Sequence, residues 1–143
     1  MMDGTALAKL VGELLIAIQL LTGHPLPERE PLVAFVPHAV LEQQACGRPC
    51  EVYGWFPPGD TIYLDERLDP LEDVHARSIL VHELVHFLQQ EEGTYALPAS
   101  CRAWVERERE AFDVQMRWLA QQDANGYSRA RIAHMPLRYV CDE

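Results

Sequence analysis

The sequence predicts a small α+β domain, and three stretches of the 143-residue chain carry this prediction. An apolar stretch over residues 5–22, interrupted by single charges, predicts an amphipathic first helix that ends near Gly23. Short β-branched and aromatic stretches within residues 32–65, punctuated by proline and glycine, predict a small antiparallel or mixed sheet. A stretch without helix breakers from Pro70 to Gly93 predicts a long core helix that packs against this sheet.

Each remaining element follows from a local pattern of apolar, proline and glycine residues. Apolar residues at helical spacing between Trp104 and Leu119 predict another long helix. The predicted strands cover residues 32–36, 51–56 and 61–65, and short helices are expected over residues 38–45 and 127–133. Because a chain of this length supports one hydrophobic core, residues 1–143 are expected to form a single domain.

The predicted core helix carries the most informative motif of the chain, His82-Glu83-Leu84-Val85-His86. Residues four apart lie on one face of a helix, so both imidazoles can bind one metal ion. Glu83 can then reach a water molecule at that metal and act as a general base. Asp69 is the predicted N-cap of the helix, with Pro70 in its first turn and Glu72 completing a capping box. The apolar flanks of the motif favour a buried metal site over two histidines on a polar surface.

A third ligand is expected downstream, because catalytic zinc usually has three protein ligands and a water. Glu108 points into the centre of the apolar face of the following helix, as does Gln115, whereas Glu110 points to the opposite, charged face. A carboxylate in an apolar stripe is costly unless it is paired or bound to a metal. Glu108 is therefore the predicted ligand, Glu110 the alternative, and Gln115 a partner that orients a ligand imidazole. The competing interpretation is that Glu108 pairs with a buried arginine, either Arg102 or Arg138.

The histidine motif and the segment Glu108-Arg109-Glu110-Ala111 together resemble the gluzincin group of zinc metallopeptidases. The resemblance covers about residues 60–120. The chain resembles the small, single-domain members of the group better than the large two-domain enzymes. It implies a zincin-like fold and zinc-dependent hydrolysis of peptide bonds by a metal-activated water, with Glu83 as the general base. The implied cofactor is Zn²⁺, held by His82, His86 and Glu108.

Other features of the group are matched only in part by this chain. Several branches of the group carry an acidic residue directly after the Glu-x-x-Ala segment, and Phe112 stands there instead. Zincins hold the substrate backbone by addition to an edge strand, which here would be residues 51–56 or 61–65. The residue that stabilises the oxyanion is left open among Tyr127, His134 and Tyr139. His24 and His38 lie in loops next to prolines and receive no role.

A non-catalytic alternative also fits the sequence. In that interpretation the chain is a zincin-like binding or regulatory module with a structural metal, which its small size favours. The presence of Glu83 favours the enzyme, because a structural metal site has no need of a general base. A further possibility is a peptidase domain that is joined to, or activated by, a partner.

Charge and hydropathy narrow the expected partners. The formal net charge of −10 argues against nucleic-acid binding, because the phosphate backbone would be repelled. The apolar run near the N-terminus includes Lys9 and Glu13, so it is expected neither to span a membrane nor to act as a signal peptide. The expected partner is a peptide or protein substrate.

The four cysteines bear on the cellular compartment. Their even number fits disulfide bonds, and the predicted pairs are Cys46–Cys50 and Cys101–Cys141. Disulfide bonds indicate a periplasmic or secreted protein whose signal peptide has been removed. The lack of a signal peptide in the sequence itself indicates the cytoplasm instead.

Overall fold

A computed structural model describes residues 4–93 and 100–122 of the chain. The α+β class predicted from the sequence is confirmed within these residues. In chain order the elements are α1 (Gly4–Thr22), β1 (Leu32–Val36), α2 (His38–Leu41) with a following π-helical turn (Glu42–Cys46), β2 (Gly54–Trp55), β3 (Thr61–Asp65), α3 (Val74–Glu91) and α4 (Cys101–Gln122). The short helix predicted over residues 127–133 lies outside the described residues.

The sheet is mixed and has three strands in the order β1-β3-β2. β1 runs parallel to the central strand β3, with Leu32 opposite Thr61 and Val36 opposite Asp65. β2 pairs antiparallel with β3 and lies at an edge of the described sheet. Of the two candidate edge strands, the one over residues 51–56 therefore takes this place, although only its residues 54 and 55 are paired as strand.

α3 is the central element of the core. It packs along α4 on one side and contacts α1 and the strands β2 and β3 on its other sides. Its side chains are buried almost continuously from Leu80 to Gln89, which is why the histidine motif lies within the core. α1 contributes a stripe of buried residues at helical spacing, Leu10, Val11, Leu14, Leu15 and Ile18.

The start of α3 differs from the prediction. Asp69 does not cap the helix; its side chain accepts a hydrogen bond from the N–H of Leu71 within a separate turn. The helix begins at Val74, with the extended residue Asp73 as N-cap accepting from the N–H of His75. The other end agrees with the prediction, because Gly93 follows the last turn with φ of +80°.

α1 is, by length and composition alone, apolar enough to cross a membrane. Core helices of soluble proteins also pass this test, and one face of α1 packs against α3 and α4. Its other face leaves Ile16 49% and Leu20 82% exposed. The expectation that the chain has no membrane span therefore stays a prediction.

Two cysteines of the described residues form the predicted Cys46–Cys50 disulfide bond, which closes the loop after the π-helical turn. Cys101, the first residue of α4, is also disulfide-bonded. Its predicted partner Cys141 lies outside the described residues.

Candidate metal centre

α3 and α4 bring the three predicted ligands together. His82 and His86 are buried one turn apart on α3, and Glu108 faces them from α4. The Nε2 atom of His82 lies 3.2 Å from Oε2 of Glu108, and that of His86 lies 2.7 Å from Oε1 of Glu108. One ligand atom from each residue falls within 4.8 Å of the other two. This cluster is the arrangement that the helical phase of Glu108 predicts.

Glu110, the alternative ligand, faces away from this cluster. Its carboxylate accepts a hydrogen bond from the side-chain amide of Gln89 and contacts the imidazole of His24. The described contacts of Glu108 are with the two imidazoles, and Arg138, one of the two competing arginine partners, lies outside the described residues.

The donor atoms fit a zinc ion. The Nδ1 atom of His82 lies 3.0 Å from Oε1 of Gln115, and the Nδ1 atom of His86 lies 2.8 Å from Oε1 of Gln89. An amide oxygen can only accept, so each Nδ1 donates to its glutamine, and each Nε2 would offer its lone pair to a bound ion in place of its contact with Glu108. Two imidazole nitrogens and a carboxylate are ligands that zinc takes in sites with an open position. The imidazoles contact different oxygens of Glu108, at 3.2 and 2.7 Å, and one ligand atom from each residue lies within 4.8 Å of the other two, so the three residues could hold a single ion.

The contacts within this cluster shift the pKa values of Glu108 and His86. Burial alone would raise the pKa of Glu108, but hydrogen bonds from both histidines and their charges more than offset it and lower that pKa. Burial alone would lower the pKa of His86, but the hydrogen bond to Glu108 and the nearby carboxylates raise it to about 8. The short contacts of Glu108 with the two imidazoles thus link α4 to α3 at this site.

Glu83 lies beside the cluster beneath strand β2. Burial raises the pKa of its carboxyl group, and the backbone N–H of Phe56 donates a hydrogen bond to it. Gly54 passes so close that a Cβ atom there would lie 3.1 Å from Cγ of Glu83 and 2.9 Å from Cγ2 of Ile79. A glycine at this position thus lets the edge strand approach the predicted general base.

The cluster opens into a cleft of about 590 Å³. The disulfide-closed loop and β2 form one wall, and the first part of α4 forms the other. The aromatic residues that line the cleft are Tyr53, Trp55, Phe56, Trp104 and Phe112. The cleft therefore combines a floor of candidate metal ligands with largely apolar walls.

Phe112 directly follows the segment from Glu108 to Ala111 and lies against the first histidine of the cluster. Its ring lies 4.5 Å from the ring of His82, centroid to centroid, and meets it edge-on. The polar partner of His82 is Gln115, one turn further along α4, as the helical phase of Gln115 predicts. The nearby hydroxyl of Ser78 accepts a hydrogen bond from the Gln115 amide.

Sequence reasoning missed the partner of the second ligand. Gln89 follows His86 by three residues, and this spacing on a helix is the signal that could have identified it. The contacts behind Gln89, from Glu110 to His24, depend on how separate elements pack, and no local pattern indicates them. The three candidates for oxyanion stabilisation, Tyr127, His134 and Tyr139, lie outside the described residues. No family model, curated protein or solved structure matches this chain.

Proposed function

We propose that this chain is a zinc-dependent peptidase, a small single-domain enzyme of the gluzincin type. One observation carries the proposal: His82, His86 and Glu108 converge at the floor of a cleft with a buried glutamate, Glu83, directly beside them. A structural metal site has no need of this combination, because closed structural sites take a fourth protein ligand instead of a general base.

The residues divide the chemistry between them. His82, His86 and Glu108 would hold the zinc ion, which when bound supplies a Lewis acid that polarises a carbonyl and acidifies water. Glu83 would take the proton from the attacking water and pass it to the leaving nitrogen. The raised pKa of Glu83 suits this role, because a base that must also act as an acid needs a pKa nearer to neutral.

The substrate proposed for this site is a peptide in extended conformation. The outer edge of β2 borders the cleft, so a peptide backbone can add to it as a further strand. The aromatic walls formed by residues such as Tyr53, Trp104 and Phe112 would favour apolar side chains on either side of the cleaved bond.

The test of the proposal is Glu83→Gln, which keeps size and hydrogen bonding but removes the base. We expect this variant to bind zinc and to unfold at the wild-type temperature while its hydrolysis of an unbiased peptide library falls by at least ~10²-fold. Glu106→Gln, an exposed glutamate on α4, is the matched control and should cleave like the wild type. Equal cleavage by Glu83→Gln and the wild type would refute the mechanism.

The same assay distinguishes the enzyme from the non-catalytic alternative. A fully zinc-loaded wild-type protein that cleaves no member of the library would contradict the peptidase. Such a result would favour a binding or regulatory module with a structural metal.

A further inference from the structure

Both imidazoles of the metal centre are anchored by a glutamine, and in the described part of the chain the two anchors continue into different sets of hydrogen bonds. The amide oxygen of Gln115 accepts from His82, and its NH₂ group donates to the hydroxyl of Ser78. That hydroxyl donates in turn to the carbonyl oxygen of His75. This chain of contacts returns to α3 itself. The amide oxygen of Gln89 accepts from His86, and its NH₂ group donates to α4, at the backbone of Arg107 and the side chain of Glu110.

The contacts of Gln89 fix the orientation of its amide. Its Nε2 atom lies 3.1 Å from the backbone oxygen of Arg107 and 2.9 Å from Oε1 of Glu110. Because a carbonyl and a carboxylate only accept, the NH₂ group must face them and the amide oxygen must face His86. His86 must therefore donate from Nδ1, which directs the lone pair of Nε2 to the metal position.

Glu110 is held in turn by His24, in the segment that follows α1. The Nε2 atom of His24 lies 2.9 Å from Glu110, and its Nδ1 atom lies 2.6 Å from Glu92 at the end of α3. The His24 side chain is 21% exposed, so this end of the network reaches solvent. The imidazole binds one carboxylate on each side, and it thereby fixes the position of Glu110 against Gln89.

We propose that His24, Glu110 and Gln89 form a positioning relay that sets the tautomer and orientation of His86 from the protein surface. None of the three touches the metal position; each acts through the next, and Gln89 acts on the ligand. The inference rests on the proposed zinc site, but its tests measure zinc binding and the imidazole tautomer rather than peptide hydrolysis. Loss of hydrolysis alone would therefore contradict the proposed enzyme and leave the relay intact.

The first test compares two neighbouring glutamines of α3. Gln89→Leu removes the acceptor for His86, so zinc affinity in competition with a chelator should fall by about 10- to 100-fold. Gln90→Leu is the matched control, because Gln90 makes two hydrogen bonds of 2.7 Å to the backbone of Gly59, away from the site. Its zinc affinity should stay within about twofold of the wild type. Gln89→Met takes the place of Gln89→Leu if the latter does not fold.

The second test asks whether His24 acts through Gln89. His24→Ala should weaken zinc binding by about 3- to 10-fold, and His24→Gln, whose amide can still donate to Glu110, should restore most of it. In the Gln89→Leu background, His24→Ala should cause no further loss, because the connection is already broken. A general loss of stability would instead add to the effect of Gln89→Leu.

The third readout is spectroscopic and needs no metal. In metal-free Glu108→Ala protein at about pH 10, where the imidazole is neutral and no carboxylate faces Nε2, ¹⁵N NMR should show His86 protonated at Nδ1. When Gln89→Leu is added to this variant, the proton should redistribute between the two nitrogens. Wild-type zinc affinity in Gln89→Leu, or an equal loss in Gln90→Leu, would overturn the proposal. Wild-type affinity in His24→Ala, or an additive loss in the double variant, would overturn the part assigned to His24.

Discussion

Glu108 shows how the phase of one residue on a helix selects it from several acidic neighbours. Its carboxylate alone among the residues of α4 meets both imidazoles, so Glu108→Ala should leave a site with two ligands. We expect zinc affinity to fall by well over about 100-fold, since even residues behind the ligands matter 10- to 100-fold. Glu106→Ala removes an exposed carboxylate from the same helix and should bind zinc like the wild type. Equal losses in a chelator competition would remove Glu108 from the ligand set.

Gly54 is the residue that couples the edge strand to the predicted base. Gly54→Ala would place a Cβ atom within 3.1 Å of Glu83 and 3.2 Å of Leu64, so strand or base must shift. We expect a loss of about 1–3 kcal/mol in the free energy of unfolding, together with reduced peptide hydrolysis. Gly12→Ala on α1 meets only the far end of Glu30, at 3.4 Å, and should stabilise the helix by roughly 0.5–1 kcal/mol. Denaturant unfolding should show a lower free energy of unfolding for Gly54→Ala and a higher one for Gly12→Ala.

At this scale the sequence predicts those residues whose role follows from spacing along one helix. His82, His86, Glu108 and Gln115 come together as their helical phases require. His24 received no role from the sequence, because its partners Glu92 and Glu110 lie just after α3 and on α4, far from it along the chain. The packing of α3 against α4 decides such contacts, and no spacing in the sequence encodes it.

The start of α3 is the clearest disagreement at the scale of elements. Asp69-Pro70-Leu71-Glu72 has the pattern of a capping box, yet the chain forms a separate turn there. The side chain of Arg77 holds this turn through hydrogen bonds to the backbone oxygens of Pro70 and Leu71. A second acidic residue, Asp73, then caps the helix at the point where the turn ends. Local propensity allows a helix to start at either Asp69 or Asp73. The hydrogen bonds from Arg77, which lies within the helix, hold residues 70 and 71 in the turn and so favour the later start.

Asp73 should therefore matter more to the helix than its sequence pattern indicates. Asp73→Ala removes the acceptor for the N–H of His75 and should lower the free energy of unfolding by about 1 kcal/mol. Glu72→Ala, the exposed neighbour that completes the predicted capping box, should change it by less than about 0.5 kcal/mol. Urea unfolding distinguishes the two. A larger loss in Glu72→Ala would restore the earlier start of the helix.

Strand β2 is shorter than predicted for a reason that also lies outside the strand. The Cys46–Cys50 disulfide and the hydrogen bond from the N–H of Cys50 to Glu42 hold the start of this segment near the π-helical turn. Gly54 and Trp55 then pair with β3 as strand, and the backbone oxygen of Tyr53 accepts one further hydrogen bond from Asp65. The remaining residues of the segment form a wall of the cleft, so the disulfide-closed loop shapes the site rather than the sheet.

For the whole molecule, the sequence predicts the class of the fold better than it predicts which strands pair with one another. The small sheet, the buried α3 and the returning α4 follow from hydropathy patterns, which left the sheet open as antiparallel or mixed. The parallel pairing of β1 with β3 does not, because the chain passes through α2 and β2 between them. Pairings between elements separated in sequence are long-range contacts, which local patterns do not specify.

Asp65 connects the end of β3 to α2, and its titration should make the free energy of unfolding depend on pH in acid. This fully buried carboxylate at the end of β3 accepts hydrogen bonds from Arg67 and contacts Nδ1 of His38 at 2.9 Å. Hydrogen bonds from Arg67, opposed by burial and aided by His38, lower the pKa of Asp65 to about 2. A lowered pKa stabilises the fold above the unfolded value near 3.8, and this stability is lost as the pH falls toward about 2.

We therefore expect wild-type protein to lose up to about 2 kcal/mol of unfolding free energy through Asp65 between about pH 4 and about pH 2. Asp65→Asn should be less stable by roughly 2 kcal/mol at about pH 6, since it loses charged hydrogen bonds, and should show a shallower decline in acid. Asp113→Asn is the control, because its carboxylate is 65% exposed and lies 3.6 Å from Arg117. It should follow the wild-type curve. Urea unfolding of metal-free protein across this pH range measures how the free energy of unfolding changes with pH. Parallel curves for Asp65→Asn and wild type would show that Asp65 has the same pKa in the folded and unfolded protein and does not link folding to pH.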